Sequence, residues 1–196
     1  MFRRNLIPVW VAIIVVASMY LMGQGWSPPA GPPAPVPKTG QTLTYEPRDD
    51  GDLKKGVAWP DPRFTDNGNG TVTDNLTNLI WRQDAGCDGL RVWADALSYC
   101  NALADGTCGL TDGSSAGDWR LANVKELHSL IDFGNYSPAL PTGHPFTDVQ
   151  LGYWYWSSTT GAGITGYAWG VHFDDGYVNF FVKDYDLYAW CMRGGQ

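Results

Sequence analysis

The sequence predicts an α+β domain built around an antiparallel β-sheet. Strand-like segments open and close the region that begins at residue 63, whereas helical periodicity is confined to its middle. Strands and helices are therefore segregated along the chain, which is typical of antiparallel sheets rather than of alternating βαβ units. Eighteen of the twenty acidic residues are Asp, a composition that suits turns better than long helices. A chain of 196 residues is long enough for one such domain.

Residues 1 to 26 are predicted to be a signal peptide or a transmembrane anchor. Arg3 and Arg4 precede an uncharged run from Leu6 to Gly23. This run is longer than the usual core of a signal peptide and close to the minimum that crosses a bilayer, which favours an uncleaved anchor. Because the positive flank stays in the cytoplasm, the rest of the chain is exported. We expect an inner-membrane protein that faces the periplasm, or a secreted or cell-surface protein.

Residues 27 to 62 are predicted to be a proline-rich linker followed by an irregular lead-in. The stretch "SPPAGPPAPVP" (27 to 37) favours a semi-rigid polyproline spacer, because Pro lacks a backbone donor and has a fixed φ. Residues 38 to 62 are polar and show little periodicity. These segments would hold a single domain, residues 63 to 196, away from the membrane.

The charge of the exported part argues against polyanionic partners. Without Arg3 and Arg4 the chain keeps 11 basic and 20 acidic residues, a net charge of about −9. Bulk repulsion at this charge disfavours binding to nucleic acid. We therefore predict no nucleic-acid partner.

Short strands and two helices follow in order after residue 63. Strands in the segment 63 to 83 flank Asn-Gly turns, which supply the positive φ that hairpins need. The segment 90 to 105 carries an apolar stripe at helical spacing and is predicted to be the first helix. Asn123 with Glu126 three residues later forms a near capping box, so a second helix begins there. After residue 153 four further strands are predicted, over residues 153–159, 167–173, 177–183 and 187–193.

No catalytic residue, metal site or cofactor is predicted. A literal G-x-S-x-G spans 113 to 117, but turn residues precede it and a strand-like segment follows, so a loop is favoured over a nucleophile elbow. The Asp/Asn/Gly cluster that starts at Asp66 lacks side-chain oxygens at the third and fifth positions of a calcium loop. The cysteines contain no C-x-x-C pair of the kind that binds zinc.

Several motifs recur together as a set: "PKTGQT", "KGVAWPDPRFTDNGNGTVTDNLTNLIW", "CGLTDGSSAGDWRLANVKELHSLIDF", "PALPTGHPF", "YWSSTT" and the terminal "RGGQ". Together they resemble the Lcl C-terminal domain family of bacterial exported proteins, over residues 38 to 196. That family is assigned to the C-type-lectin-like superfamily, alongside sulfatase-modifying-factor domains. The resemblance implies two helices packed on a twisted antiparallel sheet, with a loop-rich face for a ligand.

The resemblance also implies a role. Members occur as adhesin tips, and one binds sulfated polysaccharide as a trimer, so a glycan or protein ligand on the cell surface and a homotrimeric assembly are expected. The chain lacks the Trp-Asn-Asp triplet of calcium-dependent lectins. It also lacks the C-terminal cysteine pair of formylglycine-generating enzymes, because only Cys191 lies there. Neither calcium-dependent sugar binding nor that enzymatic activity is therefore expected.

Four cysteines in an exported chain predict two disulfides, and four cysteines allow three pairings. We predict Cys87 with Cys108, because these residues flank the first helix. We predict Cys100 with Cys191, because Cys100 lies on the buried stripe of that helix and the last strand of a lectin-like fold packs there.

The C-terminal strands are rich in aromatic residues: residues 153 to 190 hold 13 of the 27 in the chain. Alternation along the strands predicts Trp154, Trp156, Trp169 and Trp190 as core residues, together with Val171 and Phe173. The remaining outer and turn positions form either a mere cover for the sheet or an adaptable binding surface, and we favour binding because Tyr presents a large amphipathic area. The predicted ligand-binding residues are Tyr167, His172, Asp174, Tyr177, Asn179, Phe181, Tyr185 and Tyr188.

The sequence thus predicts a non-enzymatic ligand-binding or adhesion module of the cell envelope. The alternative is an envelope hydrolase that uses His172 with Asp174 and Asp175 as paired carboxylates. Adjacent residues on a strand point to opposite sides, so a turn is the favoured role for the two Asp residues.

Overall fold

The computed structural model describes residues 36–87 and 89–194. The predicted N-terminal anchor, residues 1 to 26, lies outside the described residues, as does most of the proline-rich stretch. In the two described ranges no helix combines the length and the apolar character that crossing a bilayer requires. The described residues all belong to one compact unit, Ala34–Gln196.

The described residues form an α+β fold, as predicted, with nine short strands and three short helices. The helices are α1 (Asp50–Leu53), α2 (Trp93–Ala102) and α3 (Val124–His128). The strands are β1 (Phe64–Asp66), β2 (Thr71–Asp74), β3 (Leu79–Arg82), β4 (Arg120–Leu121), β5 (Trp154–Thr160), β6 (Tyr167–His172), β7 (Val178–Val182), β8 (Tyr188–Ala189) and β9 (Cys191–Arg193).

The strands form two sheets, and this corrects the expectation of a single antiparallel sheet. Sheet 1 has the order β1-β2-β3-β9-β4 and is antiparallel throughout. Sheet 2 has the order β7-β6-β5-β8 and is mixed, because β8 runs parallel to β5. The segment predicted as one last strand, residues 187–193, is divided at Trp190. Its first part joins sheet 2 as β8 and its second part joins sheet 1 as β9.

Trp190 lies where the two sheets meet and is fully buried. Its ring is 4.9 Å from the ring centroid of Phe146, 5.0 Å from that of Phe173 and 5.5 Å from that of Tyr155. Its indole N–H donates to the carbonyl of Arg82 at 2.8 Å. Because the polar atom of the side chain is satisfied, the indole can occupy the core at no cost in unpaired hydrogen-bonding groups.

Two apolar clusters flank the strands. The first cluster contains Trp81, Trp190, Tyr155 and Val171, with α3 packed on it through Leu127. The second cluster contains Trp119, Trp156, Cys191 and the buried side of α2.

The features from which the two helices were predicted, an apolar stripe and a capping box, are both present. In α2 the buried residues are Ala96 and Cys100, as the apolar stripe predicted. In α3 the Asn123 side chain accepts from the backbone N–H of Glu126, and the Glu126 side chain accepts from the N–H of Asn123. This is the predicted capping box, although the helix ends at His128.

Both predicted disulfides are confirmed. Cys87 is bonded to Cys108, and Cys100 on α2 is bonded to Cys191 on β9, with Cα–Cα distances of 5.9 and 5.3 Å. The second bond joins the first helix to the strand that follows Trp190. Both of its cysteines are fully buried.

The segment predicted as an irregular lead-in is docked on the rest of the domain. Pro37 and Val57 form a parallel bridge, and Asp49 caps α1 by accepting from the N–H of Asp52. The backbone N–H of Phe133 donates to the carbonyl of Thr39 at 2.9 Å, which ties the segment to the loop after α3.

Candidate functional site

The candidate site is a row of aromatic side chains on one face of sheet 2. Trp154 on β5 and His172 on β6 are direct antiparallel partners, so their side chains lie on the same face. Phe181 on β7 pairs with Ala168. Ala168 is four residues before His172 on β6, so Phe181 shares that face as well. Tyr185 follows β7 and lies against Phe181. We call these four residues, Trp154, His172, Phe181 and Tyr185, the aromatic row.

Ring distances show that the row is continuous. The centroids of Trp154 and His172 are 4.9 Å apart, and those of Trp154 and Phe181 are also 4.9 Å apart. The rings of Phe181 and Tyr185 are 6.4 Å apart. Trp154, His172 and Phe181 are partly buried, whereas Tyr185 is 57% exposed. The row therefore presents solvent-accessible aromatic surface that rests on the second apolar cluster.

Gly170 on β6 permits a close approach to β5 next to the Phe181 ring. Gly170 is the partner of Asn179 and lies diagonally from Phe181. A Cβ on Gly170 would be 3.6 Å from the Phe181 ring and 2.9 Å from the carbonyl of Tyr155. Glycine at this position avoids a clash with the Tyr155 carbonyl, whereas the distance to the ring is ordinary van der Waals contact, and Asn179 beside it is exposed. The exposed side-chain amide of Asn179 therefore lies beside the aromatic row.

The opposite face of the same hairpin carries a second aromatic group. Tyr167 and Trp169 both lie against Phe180, with ring distances of 5.6 and 5.3 Å. Phe180 is 39% exposed and Val178 is 38% exposed. Aromatic side chains occupy both faces here because β7 is the edge strand of sheet 2, so its side chains are only partly covered. Of the predicted binding residues, Tyr167 belongs to this second face.

The turn between β6 and β7 holds the acidic residues. The carboxylate of Asp174 accepts from the Ser137 hydroxyl, and its carbonyl accepts from the Ser137 N–H at 2.7 Å. The Asp175 carboxylate lies 3.1 Å from Nδ1 of His172 and accepts from the N–H of Tyr177 at 3.2 Å. Both Asp residues thus occupy a turn, as the sequence favoured. Tyr177 is 68% exposed beside them.

His128 supports this turn from α3. Its Nε2 lies 3.3 Å from the carbonyl of Gly176, and its ring is 5.5 Å from that of Phe133. Burial lowers the pKa of His128 below its ordinary value, against an opposing effect of the Gly176 carbonyl. The ring is therefore mainly neutral at pH 7, and the histidine is a partly buried residue that supports the turn.

The predicted ligand-binding residues thus fall into four places. His172, Asn179, Phe181 and Tyr185 lie together on or beside the aromatic row. Asp174 and Tyr177 are in the adjacent turn, and Tyr167 is on the other face. Tyr188 is on β8, partly buried against the first cluster, with its ring 5.7 Å from that of Tyr155.

Two core predictions are wrong, and one of them adds a residue to the site. Trp154 and Trp169 are only partly buried, whereas Tyr155 is fully buried. Trp156, Trp190, Val171 and Phe173 are buried as predicted. Both faces of β5 are covered near its middle, so alternation alone does not separate core from surface. Trp154 shares its face with the buried Trp156, but it is the first residue of β5, where the cover of that face ends, so it remains partly exposed.

The arrangement brings three groups with metal-ligating or acid–base chemistry close together. Ligand atoms of His172, Asp174 and Asp175 all lie within 4.8 Å of one another. The Asp174 carboxylate already accepts from the Ser137 hydroxyl, and the Asp175 carboxylate accepts from the backbone N–H of Tyr177. The G-x-S-x-G segment is a loop, as predicted, and the Ser115 N–H donates to Asp118 at 2.8 Å.

Comparison with known proteins gives the family. No curated protein matches the chain at a significant level. The family model described as the Lcl C-terminal domain matches residues 70–193, which is more than half of the chain and includes both disulfides and the whole aromatic row. This chain belongs to the Lcl C-terminal domain family.

Proposed function

We propose that this protein is a non-enzymatic ligand-binding or adhesion module that holds a glycan or a protein on the aromatic row. The observation that carries the proposal is the continuous row of Trp154, His172, Phe181 and Tyr185, with the exposed amide of Asn179 beside it. Flat aromatic surfaces bind the apolar faces of ligands, and neighbouring amide, imidazole and carboxylate groups orient them by hydrogen bonds. The module needs no cofactor.

Two disulfides in a domain of this size indicate an extracytoplasmic protein. We extend this to a bacterial cell-envelope location, either anchored in the inner membrane through residues 1 to 26 and facing the periplasm, or secreted to the cell surface. A C-type-lectin-like fold and a homotrimeric assembly are part of the same proposal. The helices packed on antiparallel strands and the long loops between them support the fold.

The acidic residues around the aromatic row restrict the charge that a ligand can carry. Asp174, Asp175, Asp184 and Asp186 lie at the two ends of the β6–β7 hairpin, and the cation of Lys183 is directed to the Trp93 ring at 3.7 Å. An acidic border repels sulfated or phosphorylated polymers. The row is therefore proposed to take neutral or cationic ligands.

The test is a glycan array probed with the full chain solubilised in detergent. Affinity is then measured for each ligand that the array identifies. A double variant, Phe181→Ala/Tyr185→Ala, is expected to weaken binding at least about thirtyfold, since an aromatic anchor contributes about 2 kcal/mol or more. Tyr136→Ala, which removes an 82% exposed ring outside sheet 2, is the matched control and should bind normally.

Tyr167→Ala separates the two faces of the hairpin. If binding survives the double variant but is lost in Tyr167→Ala, the second face is the binding surface and the assignment to the aromatic row fails.

A hydrolase that uses His172, Asp174 and Asp175 is the second candidate, since these groups lie within 4.8 Å of one another. Turnover on a panel of polysaccharides and esters that Asp174→Asn abolishes would establish it in place of the binding module.

A further inference from the structure

A cavity lies between the lead-in and the loop after α3, apart from the aromatic row. Its volume is about 440 Å³, within the range of small-molecule sites. It shares no residue with the aromatic row. The lining includes two lysines, two aspartates and one tryptophan: Lys38, Lys54, Asp50, Asp132 and Trp59.

At the cavity wall, the backbone of Gly40 closely approaches the side chains of Asp132 and Trp59. A Cβ at this position would be 2.0 Å from Oδ1 of Asp132 and 2.8 Å from the Trp59 ring, and the residue has φ +95. Only glycine permits this approach without strain. The lead-in thus packs closely against the Asp132 carboxylate at the wall of the cavity.

Asp132 supplies a buried negative charge to the wall. It is only 6% exposed, and its two oxygens accept from the Gly134 N–H at 2.8 Å and from the Asn135 amide at 2.7 Å. Both donors are neutral, and no cationic side chain of the described residues lies within ion-pair distance of this carboxylate. Gly40 packs against Oδ1, so Oδ2, which accepts only the Asn135 amide, is the oxygen with an unused lone pair for another donor. A buried carboxylate with unused acceptors favours a cationic group next to it.

The lysines supply the opposite charge. In residues 36–87 and 89–194, neither Lys38 nor Lys54 forms an ion pair. The second carboxylate of the cavity, Asp50, instead accepts a hydrogen bond from the Thr39 hydroxyl. The cavity therefore presents separate anionic and cationic groups that do not neutralise each other.

From this geometry we propose that the cavity binds a small zwitterion, a molecule of amino-acid or dipeptide size that carries one ammonium and one carboxylate. The ammonium donates to Asp132, and the carboxylate accepts from Lys38 and Lys54. Trp59 forms an apolar wall for the side chain of the ligand. This site is independent of the aromatic row, so the protein would carry two separate binding sites.

The test is calorimetric titration of the full chain in detergent with four probes that share one side chain. L-leucine and glycyl-L-leucine carry both charges, L-leucinamide carries only the ammonium, and N-acetyl-L-leucine carries only the carboxylate. The zwitterions are expected to bind at least about tenfold more tightly than either singly charged probe, because each charge-assisted hydrogen bond is lost separately. Glycine is expected to bind more weakly than L-leucine because it leaves the Trp59 wall uncovered.

Variants locate the site. Lys38→Gln/Lys54→Gln should abolish the advantage of L-leucine over L-leucinamide, whereas Lys55→Gln, an exposed neighbour outside the cavity, should leave it unchanged. Asp132→Asn should abolish the advantage over N-acetyl-L-leucine. Because Asp132 also holds its loop, the thermal unfolding of that variant is measured first, and the lysine variants decide the result if it is unfolded.

Absence of heat with both zwitterions at millimolar concentration overturns the proposal. The proposal is also overturned if N-acetyl-L-leucine binds as tightly as L-leucine. The same holds if the lysine double variant still prefers L-leucine over L-leucinamide. Loss of glycan binding at the aromatic row has no bearing on these outcomes, so the two proposals fail separately.

Discussion

Removal of the disulfide between Cys100 and Cys191 should destabilise the domain more than removal of the bond between Cys87 and Cys108. The first bond closes a loop of 91 residues and the second a loop of 21 residues. In the chain-entropy description, these loops correspond to about 4.6 and about 3.3 kcal/mol of the free energy of unfolding at 25 °C. The expected difference is therefore about 1.3 kcal/mol.

Side-chain packing also predicts a larger loss of stability when the bond between Cys100 and Cys191 is removed. Cys100 and Cys191 are fully buried between α2 and β9, so alanine at both positions also removes contacts from the second apolar cluster. Cys87 is exposed, so its replacement removes little buried surface. Domains of this kind have a total free energy of unfolding of about 5–15 kcal/mol, and the loss of the buried bond therefore removes a large part of it.

The assay is urea unfolding of the oxidised protein and of two double variants, Cys100→Ala/Cys191→Ala and Cys87→Ala/Cys108→Ala. The free energy of unfolding is taken by linear extrapolation, with the slope compared among the three proteins to detect a change in the unfolded state. If the Cys87/Cys108 variant is destabilised as much as the Cys100/Cys191 variant, the reasoning from loop length and burial is wrong.

Three further predictions concern single residues. Asp74→Ala should destabilise the domain by about 3–5 kcal/mol, because Arg63 would be left as a buried charge without the bonds of 2.7 and 3.0 Å that it now makes to Asp74; a loss below about 1 kcal/mol in urea unfolding contradicts this. Asn123→Ala should lower the free energy of unfolding by about 1 kcal/mol, since the side chain caps α3, and an unchanged midpoint would show that the cap is unimportant. The lowered pKa of His128 means that the unfolded chain binds its proton more tightly than the folded domain does. Stability from the neutral ring is thus complete above the ordinary pKa of 6.5 and is lost as the pH falls below it. His128→Gln should flatten the pH dependence of unfolding between pH 7.5 and 5.5, and an identical slope in the variant refutes the assignment.

Local sequence determined the elements whose stabilising contacts lie within a few residues. The capping box of Asn123 and Glu126 closes over three residues, so the pattern alone predicts where α3 begins. The stripe of Ala96 and Cys100 follows from helical periodicity, which is a property of the backbone and not of the surrounding fold. The α+β class follows from the order of such signals along the chain.

The candidate site could be predicted only in part. His172, Asn179, Phe181 and Tyr185 were predicted from composition and alternation, and the structure places them side by side. Trp154 was predicted as core because it shares a face with Trp156, and a lone strand does not reveal how far along that face the cover extends.

Tertiary structure decided the rest. The division of the last strand at Trp190 depends on two sheets that compete for neighbouring residues, and both partners are far away in sequence. The cavity at Asp132 is lined by residues far apart in sequence, since Gly40, which is 92 positions earlier, allows the lead-in to approach the carboxylate. The sequence by itself thus determined α2, the start of α3, the turns and the aromatic content of the strands, because these depend on local hydrogen bonds and periodicity. Long-range pairing and packing determined which aromatic residues face solvent and where the charged cavity forms, because those contacts join residues that no local pattern relates.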